Sequence, residues 1–184
     1  MGTYRQTVVD LDASPEEAAA RGEHGKRWLE AEGFIRPVPW RGEVVCLAGP
    51  RWREAVDLVH WDWRARIQGL EEEPGDEVCV VVGRTVFYAG QGADPAALCP
   101  HCRSAAPDWP HEALDAWYTT GAAELDCPAC THRAPLADWN WTDDYFAFGH
   151  LGFQFDDWPP LRPRFTAALG RELGHRIRVV SGKI

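Results

Sequence analysis

Apolar residues recur along the first third of the chain with spacings that predict a strand followed by a helix. The stretch 3–11 is rich in β-branched residues and predicts a strand. Ser14 and Glu17 have the spacing of a capping box, which predicts a helix over 15–32. Gly25 inside that helix indicates either a break or close packing against a sheet.

The middle of the chain shows several shorter apolar runs, which predict strands. The run 44–47 predicts one strand, and the proline-rich segment before it, 36–43, predicts turns. Residues 59–68 alternate in a way that is compatible with a strand. Residues 77–89 predict a β-hairpin that turns at Gly83.

The last third of the chain predicts a strand, a helix and a final strand. Residues 145–155 form an aromatic-rich strand candidate, and 175–180 form another. Between them, 163–173 places apolar side chains on one helical face, and Gly174 is expected to end that helix.

Two Cys-x-x-Cys pairs carry the strongest chemical signal in the sequence. Cys99 and Cys102 form the first pair, and Cys127 and Cys130 form the second, twenty-four residues later. Each pair can aim two sulfur atoms at one point about 2.3 Å away, so the four thiolates are expected to bind one structural Zn²⁺ in a closed tetrahedral shell. Exchange of His101 or His132 into the shell, or dithiol redox chemistry, is the alternative.

The segment between the cysteine pairs is longer than in a minimal zinc ribbon. Residues 107–121 predict a helix there, and Arg103 and Thr131 stand where a glycine usually follows each knuckle. We therefore expect an α+β protein with a mostly antiparallel sheet, flanking helices and an inserted four-cysteine, zinc-ribbon-like module. Three parts are predicted: an N-terminal α+β part (1–98), the zinc module (99–141) and a strand–helix–strand segment that completes the first domain (142–184).

Charge is distributed unevenly along the 184 residues, whose net charge is −9. Residues 99–156 carry 2 basic and 9 acidic side chains, whereas residues 157–184 carry 6 basic and 2 acidic ones. An acidic body repels nucleic-acid phosphates, so a basic protein partner suits it better. The basic C-terminal segment either neutralises the acidic middle of the same chain or contacts nucleic acid.

Tryptophan pairs and two arginines are the candidate binding surface. A Trp-x-Trp pair on a strand places both indoles on one face, where they can stack on a ligand or fill a core. The residues of this candidate surface are Trp61, Trp63, Trp139, Trp141, Arg176 and Arg178.

Catalytic motifs are absent from the sequence. It contains neither a phosphate loop, nor a dinucleotide fingerprint, nor a nucleophile elbow. No catalytic residue is predicted. A small enzyme with a pocket lined by Trp and Asp side chains remains an alternative.

The region from Cys99 onward resembles a group of uncharacterised bacterial proteins. The shared features are the two Cys-Pro-x-Cys knuckles, a Trp-rich strand, the turn at Trp158-Pro159-Pro160 and the Gly-His-Arg-x-Arg sequence at 174–178. This resemblance implies a zinc-ribbon-like module and supplies no catalytic residues.

The sequence therefore favours a non-catalytic, zinc-binding interaction protein of the regulator or immunity-protein type, with a basic protein as its partner. A nucleic-acid-binding zinc-ribbon regulator is the alternative. The chain lacks an apolar run of eighteen residues and a signal peptide, so a cytoplasmic protein is expected. Cys46 and Cys79 lie in apolar runs and are expected to be reduced, although a disulfide between them is the other possibility.

Overall fold

The computed structural model describes the chain at residues 2–58, 74, 77–90, 95–106 and 110–184. In these residues the protein is α+β with antiparallel strand pairs, as the sequence predicts. Their helices are α1 (Ala18–Ala31), α2 (Trp52–Ala55), α3 (His111–Thr120) and α4 (Pro163–Leu173). Their strands are β1 (Tyr4–Asp10), β2 (Ile35–Trp40), β3 (Glu43–Ala48), β4 (Val78–Tyr88), β5 (Ala97–Leu98), β6 (Glu124–Asp126), β7 (Arg133–Pro135), β8 (Asn140–Trp141), β9 (Phe146–Asp156) and β10 (Ile177–Lys183).

A four-stranded sheet in the order β10-β1-β9-β4 forms the centre of the described structure. The predicted hairpin at Gly83 is wrong, because both halves of that segment pair with β9 as one strand, β4. The register shifts between Val82 and Thr85, and Gly83 has φ = 118°, so the glycine sits in a β-bulge. The sequence signal for a turn therefore marks an irregularity within a single strand.

Helices α1 and α4 pack on one face of this sheet. They enclose the helix-side core, whose large buried side chains are Val8, Leu29, Ile35, Trp52, Leu151, Phe153, Phe155, Trp158, Phe165, Leu169 and Leu173. The predicted capping box forms at the entry to α1, where Ser14 Oγ accepts from Glu17 N at 3.2 Å and Glu17 Oε2 accepts from Ser14 N at 3.4 Å. Gly25 reflects close packing, because a Cβ there would lie 2.5 Å from Phe153 Cζ.

The segment before β3 is a strand, and the prediction of turns there is wrong. β2 pairs with β3 along its whole length in a two-stranded ribbon. Pro37 and Pro39 are tolerated because β2 is an outer strand. Proline lacks a backbone N–H donor, and on the open side of an outer strand no neighbouring strand needs that donor. The strand considered for residues 59–68 lies outside the described residues.

The cysteine module has its own small core. This module core comprises Ala97, Cys99, Trp117, Cys127, Ala134, Leu136, Trp139, Trp141, Phe146 and Phe148. Helix α3 lies between the two cysteine pairs, as predicted, and ends at Gly121 with φ = 80°. Arg84 of β4 donates to the carbonyls of Tyr118 (3.4 Å) and Thr119 (2.7 Å), which fixes the C-terminal end of α3 on the sheet.

The C-terminal segment joins the N-terminal one in a single sheet, since β1 pairs with both β9 and β10. Phe146 and Phe148, at the start of β9, belong to the module core. The chain divisions after residues 98 and 141 stay a prediction. Among the described residues, none of the helices is both long and apolar enough to cross a membrane.

Candidate metal centre

The two cysteine knuckles have the same backbone hydrogen bonds. In the first, Cys99 N donates to Ser104 O at 3.0 Å and Arg103 N donates to Cys99 O at 2.9 Å. In the second, Cys127 N donates to His132 O at 2.9 Å and Thr131 N donates to Cys127 O at 2.8 Å. Each knuckle is therefore a closed turn that holds its cysteines in a fixed relative orientation.

Both knuckles need a left-handed residue one position after their second cysteine. Arg103 has φ = 63° and Thr131 has φ = 59°, in the region that glycine adopts without strain. Arg103 and Thr131 thus keep the turn geometry that a glycine would give, at a cost in backbone strain. A β-branched threonine is unusual at such a φ.

The four sulfur atoms meet in the geometry of a tetrahedral metal site. The Sγ atoms of Cys99, Cys102, Cys127 and Cys130 all lie within 4.8 Å of one another. Two contacts between the knuckles are 3.8 Å (Cys99 to Cys130) and 3.6 Å (Cys102 to Cys127). Sulfur atoms 2.3 Å from a central ion are about 3.8 Å apart at the corners of a tetrahedron. The donor set therefore fits a four-coordinate ion.

The centre lies at the boundary between the module core and solvent. Cys99 and Cys127 are buried, Cys130 is half-buried and Cys102 is exposed. Each knuckle thus anchors its first cysteine in the core and presents its second cysteine outward. The backbone N–H of His101 donates to Cys99 Sγ at 3.4 Å, which moderates the charge of that thiolate.

Ser104 acts on the exposed ligand, and the sequence reasoning missed it. Hydrogen bonds from its hydroxyl and backbone N–H lower the pKa of Cys102. Because metals bind the thiolate, this favours the ligating form of Cys102 at neutral pH. The sequence signal for this role was a hydroxyl residue two positions after the second cysteine of the first knuckle.

Two further cysteines lie outside the centre. All six cysteines of the chain are free thiols, so Cys46 and Cys79 form no disulfide in the described structure. Burial raises the pKa of Cys46, and burial together with Glu77 raises the pKa of Cys79 to about 12. Both side chains line one pocket beside Lys26, where they are protonated and weak nucleophiles at neutral pH.

The predicted tryptophan surface does not hold for the indoles that the structure describes. Trp139 and Trp141 are 0% and 3% exposed, and both belong to the module core. Trp141 packs edge-on against Phe146, with ring centroids 4.8 Å apart. Burying these large rings fills a small core, so neither presents a face to a ligand. Trp61 and Trp63 lie outside the described residues.

The two predicted arginines have different environments. Arg176 is 74% exposed at its side chain and pairs with Asp12, with Nη2 to Oδ1 at 2.6 Å. Arg178 is only 16% exposed and lies 3.9 Å from Asp144. Asp144 belongs to the acidic middle of the chain, so part of the basic C-terminal segment does face carboxylates of the same molecule.

Two exposed histidines stack beside the metal centre. The rings of His101 and His132 lie 5.0 Å apart with an interplanar angle of 22°. The described histidine, aspartate and glutamate side chains add no further member to the four-sulfur cluster. The geometry therefore favours a sulfur-only centre with an aromatic pair on its outer side.

Comparisons with protein-family models, with curated proteins and with solved structures find no match to this chain. The resemblance drawn from the knuckles and the C-terminal region therefore stays a hypothesis. The assignment of a metal centre rests on the positions of the four cysteines and on the chemistry of thiolate ligands.

Proposed function

We propose that Cys99, Cys102, Cys127 and Cys130 bind one Zn²⁺ that stabilises the module. The support is the cluster of four sulfur atoms at tetrahedral spacing, a donor set that suits zinc or an iron–sulfur centre. Four thiolates close the shell and leave no position for water, which is typical of a structural ion. Elemental analysis of protein purified without added metal is expected to find one zinc per chain, and iron in its place would overturn the assignment.

The module's surface supports a role in binding a basic protein. The exposed carboxylates among the described residues of the module and of the turn that follows it are Glu112, Asp115, Glu124, Asp126, Asp138, Asp143 and Asp144. A Zn²⁺ with four thiolates adds about −2 to this region. Arg133 pairs with Glu124 at 3.0 Å, and the other arginine of the module is Arg103. The single observation behind the proposal is this concentration of exposed negative charge around a rigid centre.

The same surface contains an apolar groove that a partner can cover. It lies between α3 and β6 and has a volume of about 580 Å³. Ala113, Ala116 and Leu125 line it, and Glu112 and Glu124 stand at its sides. Apolar contact at the centre with charge at the rim is the usual composition of a protein interface. The proposed occupant is a basic segment of another protein, as expected for a regulator or an inhibitor of the immunity-protein type.

Charge reversal tests the partner proposal. Tagged wild-type protein, used as bait in a nuclease-treated lysate of its native host, should capture a basic protein at stoichiometric level. The capture should weaken with added salt. Glu112→Lys with Asp115→Lys should abolish it, while Glu16→Lys with Glu23→Lys, an equal charge change on and near α1, should leave it intact. Equal capture by both double variants, or loss of all capture after nuclease treatment that is present without it, would contradict the proposal.

Free thiols support a reducing compartment such as the cytoplasm. All six cysteines are unpaired, and the four in the centre must remain reduced to bind a metal. Fractionation of the native host that places the protein in an oxidising compartment would overturn this part of the proposal.

A further inference from the structure

A cleft of about 540 Å³ separates the cysteine module from the edge of the central sheet. Leu11, Phe148 and Arg178 line it from the sheet side, and His132 and Asn140 line it from the module side. Its volume falls within the range of about 300–1,000 Å³ that is typical of small-molecule sites. The proposed partner surface on α3 does not include it, so the cleft calls for a separate explanation.

Three guanidinium groups line this cleft, although the module that forms one wall is acidic. Arg133 and Arg176 already have carboxylate partners, Glu124 and Asp12, in exposed ion pairs. The Arg133 pair is exposed on both sides and contributes roughly 0–1 kcal/mol, whereas Arg176 is held by Asp12 through both Nε and Nη2. Neither arginine alone therefore marks a site.

Arg178 differs because it is the least exposed of the three arginines and has the longest ion pair. Its side chain is 16% exposed, and its Nη1 donates to the backbone carbonyl of Phe146 at 3.2 Å. The nearest described carboxylate, Asp144, is 3.9 Å from Nε and is itself 69% exposed. A guanidinium has five N–H donors, so Arg178 can donate to a further acceptor at the wall of the cleft. Because water screens a half-buried charge less than a fully exposed one, an anion gains more from Arg178 than from the two exposed arginines.

The other lining groups define what kind of anion fits. Asn140 adds an amide donor and acceptor, while Leu11 and Ala137 add apolar surface. Among the described residues that line the cleft, Asp138 is the one carboxylate, and it disfavours negative charge at its own part of the cleft. A ligand with one charged end and one apolar end matches this distribution.

We propose that the cleft binds a small organic anion whose carboxylate or phosphate group pairs with Arg178. The amide of Asn140 donates to the same group, and the apolar part of the ligand packs on Leu11 and Ala137. The planar guanidinium fork suits both head groups, because each presents two oxygen atoms side by side. This site goes beyond the proposed partner surface and does not depend on it.

Titration of the isotope-labelled, metal-loaded full chain tests the site by NMR. Phenyl phosphate and benzoate are the probes, with inorganic phosphate as the probe that lacks an apolar part. Saturable shifts are expected at residues 132–140 and 176–178 for at least one aromatic anion, with weaker binding of inorganic phosphate. The difference between phenyl phosphate and benzoate identifies the preferred head group. The absence of saturable shifts in these residues up to about 10 mM of either aromatic anion would overturn the proposal.

Matched variants separate Arg178 from general electrostatics. Arg178→Gln should weaken binding of the preferred anion by roughly tenfold or more, which is 1.4 kcal/mol per factor of ten. Arg164→Gln makes the same charge change at an exposed position of α4 and should leave the affinity within about twofold. If Arg178→Gln does not fold, Asn140→Asp keeps the arginine and places a carboxylate beside the ligand, and it should weaken binding similarly. Unchanged affinity in whichever of these two cleft variants folds contradicts the assignment.

Discussion

The helix-side core and the module core are stabilised in different ways. The first is built on strands of seven to eleven residues and two long helices, and Phe153, Leu169 and Leu173 in it are 0% exposed. In the module, β5 and β8 have two residues each, and β6 and β7 have three. Strand pairs of that length are not stable by themselves in water.

The difference indicates what holds each region together. Burial of large apolar side chains is enough to order the helix-side core. The module core is smaller. Its four short strands and α3 are linked through two knuckles, whose four cysteines cluster together. Because a metal site forms only when its ligands are assembled, the binding free energy of the proposed Zn²⁺ would become folding free energy for the module. The two regions should therefore respond differently to the same kind of damage.

Removal of one ligand should have the largest effect on the module. Cys127→Ser is expected to lose the metal and to unfold the module, because zinc contributes roughly 10 kcal/mol or more in small metal-clamped folds. Elemental analysis and tryptophan fluorescence measure the two losses together, since Trp117, Trp139 and Trp141 lie in the module core. Cys79→Ser removes a thiol outside the centre and should retain the metal. An unchanged melting temperature in Cys127→Ser would show that the ion is not structural.

Damage to the helix-side core should leave the metal in place. Phe153→Ala removes a fully buried ring that lies between Val8 and Val80 in neighbouring strands. The expected loss is about 3–5 kcal/mol of unfolding free energy, measured by denaturant titration at unchanged zinc content. Phe148→Ala, in the module core, should instead reduce retention of zinc against a chelator. If Phe153→Ala also releases zinc below its melting range, the two regions fold as one unit and the comparison fails.

A smaller effect is expected where α1 approaches the sheet. Gly25→Ala improves helix propensity by up to about 1 kcal/mol. Its new Cβ would lie 2.5 Å from Phe153 Cζ, and that overpacking costs about 1–3 kcal/mol. We therefore expect net destabilisation without loss of zinc. Gly22→Ala is the matched variant, because its Cβ meets Val80 at 3.0 Å and the cost should be lower. Equal stability of both variants with wild type would mean that α1 lies farther from β9.

Local patterns predicted the helix-side region well because its elements are long and regular. The capping box at Ser14, the helix ending at Gly174 and the strand around Phe153 each depend on neighbours in sequence. The same local reasoning misassigned β2 and β4, since prolines and Gly83 disfavour strands in isolation. Pairing with β3 and with the eleven-residue β9 outweighed these local preferences.

The four ligands were predictable for a different reason, since the spacing of cysteines is itself the chemical requirement. A Trp-x-Trp pair fits either a core or a ligand-binding surface, and the burial of Trp139 and Trp141 decides for the core, which the cost of exposing tryptophan favours. Spacing in the sequence does not predict that Arg178 and Asn140 line one cleft, since this depends on how the module packs on the sheet.

The smallest expected effect concerns the left-handed residue of each knuckle. Thr131 has φ = 59°, and a non-glycine residue pays about 1–2 kcal/mol in this region. Thr131→Gly relieves that strain but makes the unfolded chain more flexible, which costs about 0.5–1 kcal/mol. The variant should therefore be more stable by about 0.5–1 kcal/mol and should hold zinc more tightly against a chelator.

Two further variants decide whether strain is the cause. Arg103→Gly occupies the equivalent position with φ = 63° and should also stabilise. Thr119→Gly lies in helix α3, where glycine should destabilise by a few tenths of a kcal/mol. If Thr131→Gly instead weakens zinc retention, the threonine contributes to the knuckle through its side chain, whose hydroxyl donates to the carbonyl of Cys130 at 2.7 Å. In that case local hydrogen bonds would contribute more to the stability of the module, and the ion less, than the short strands indicate.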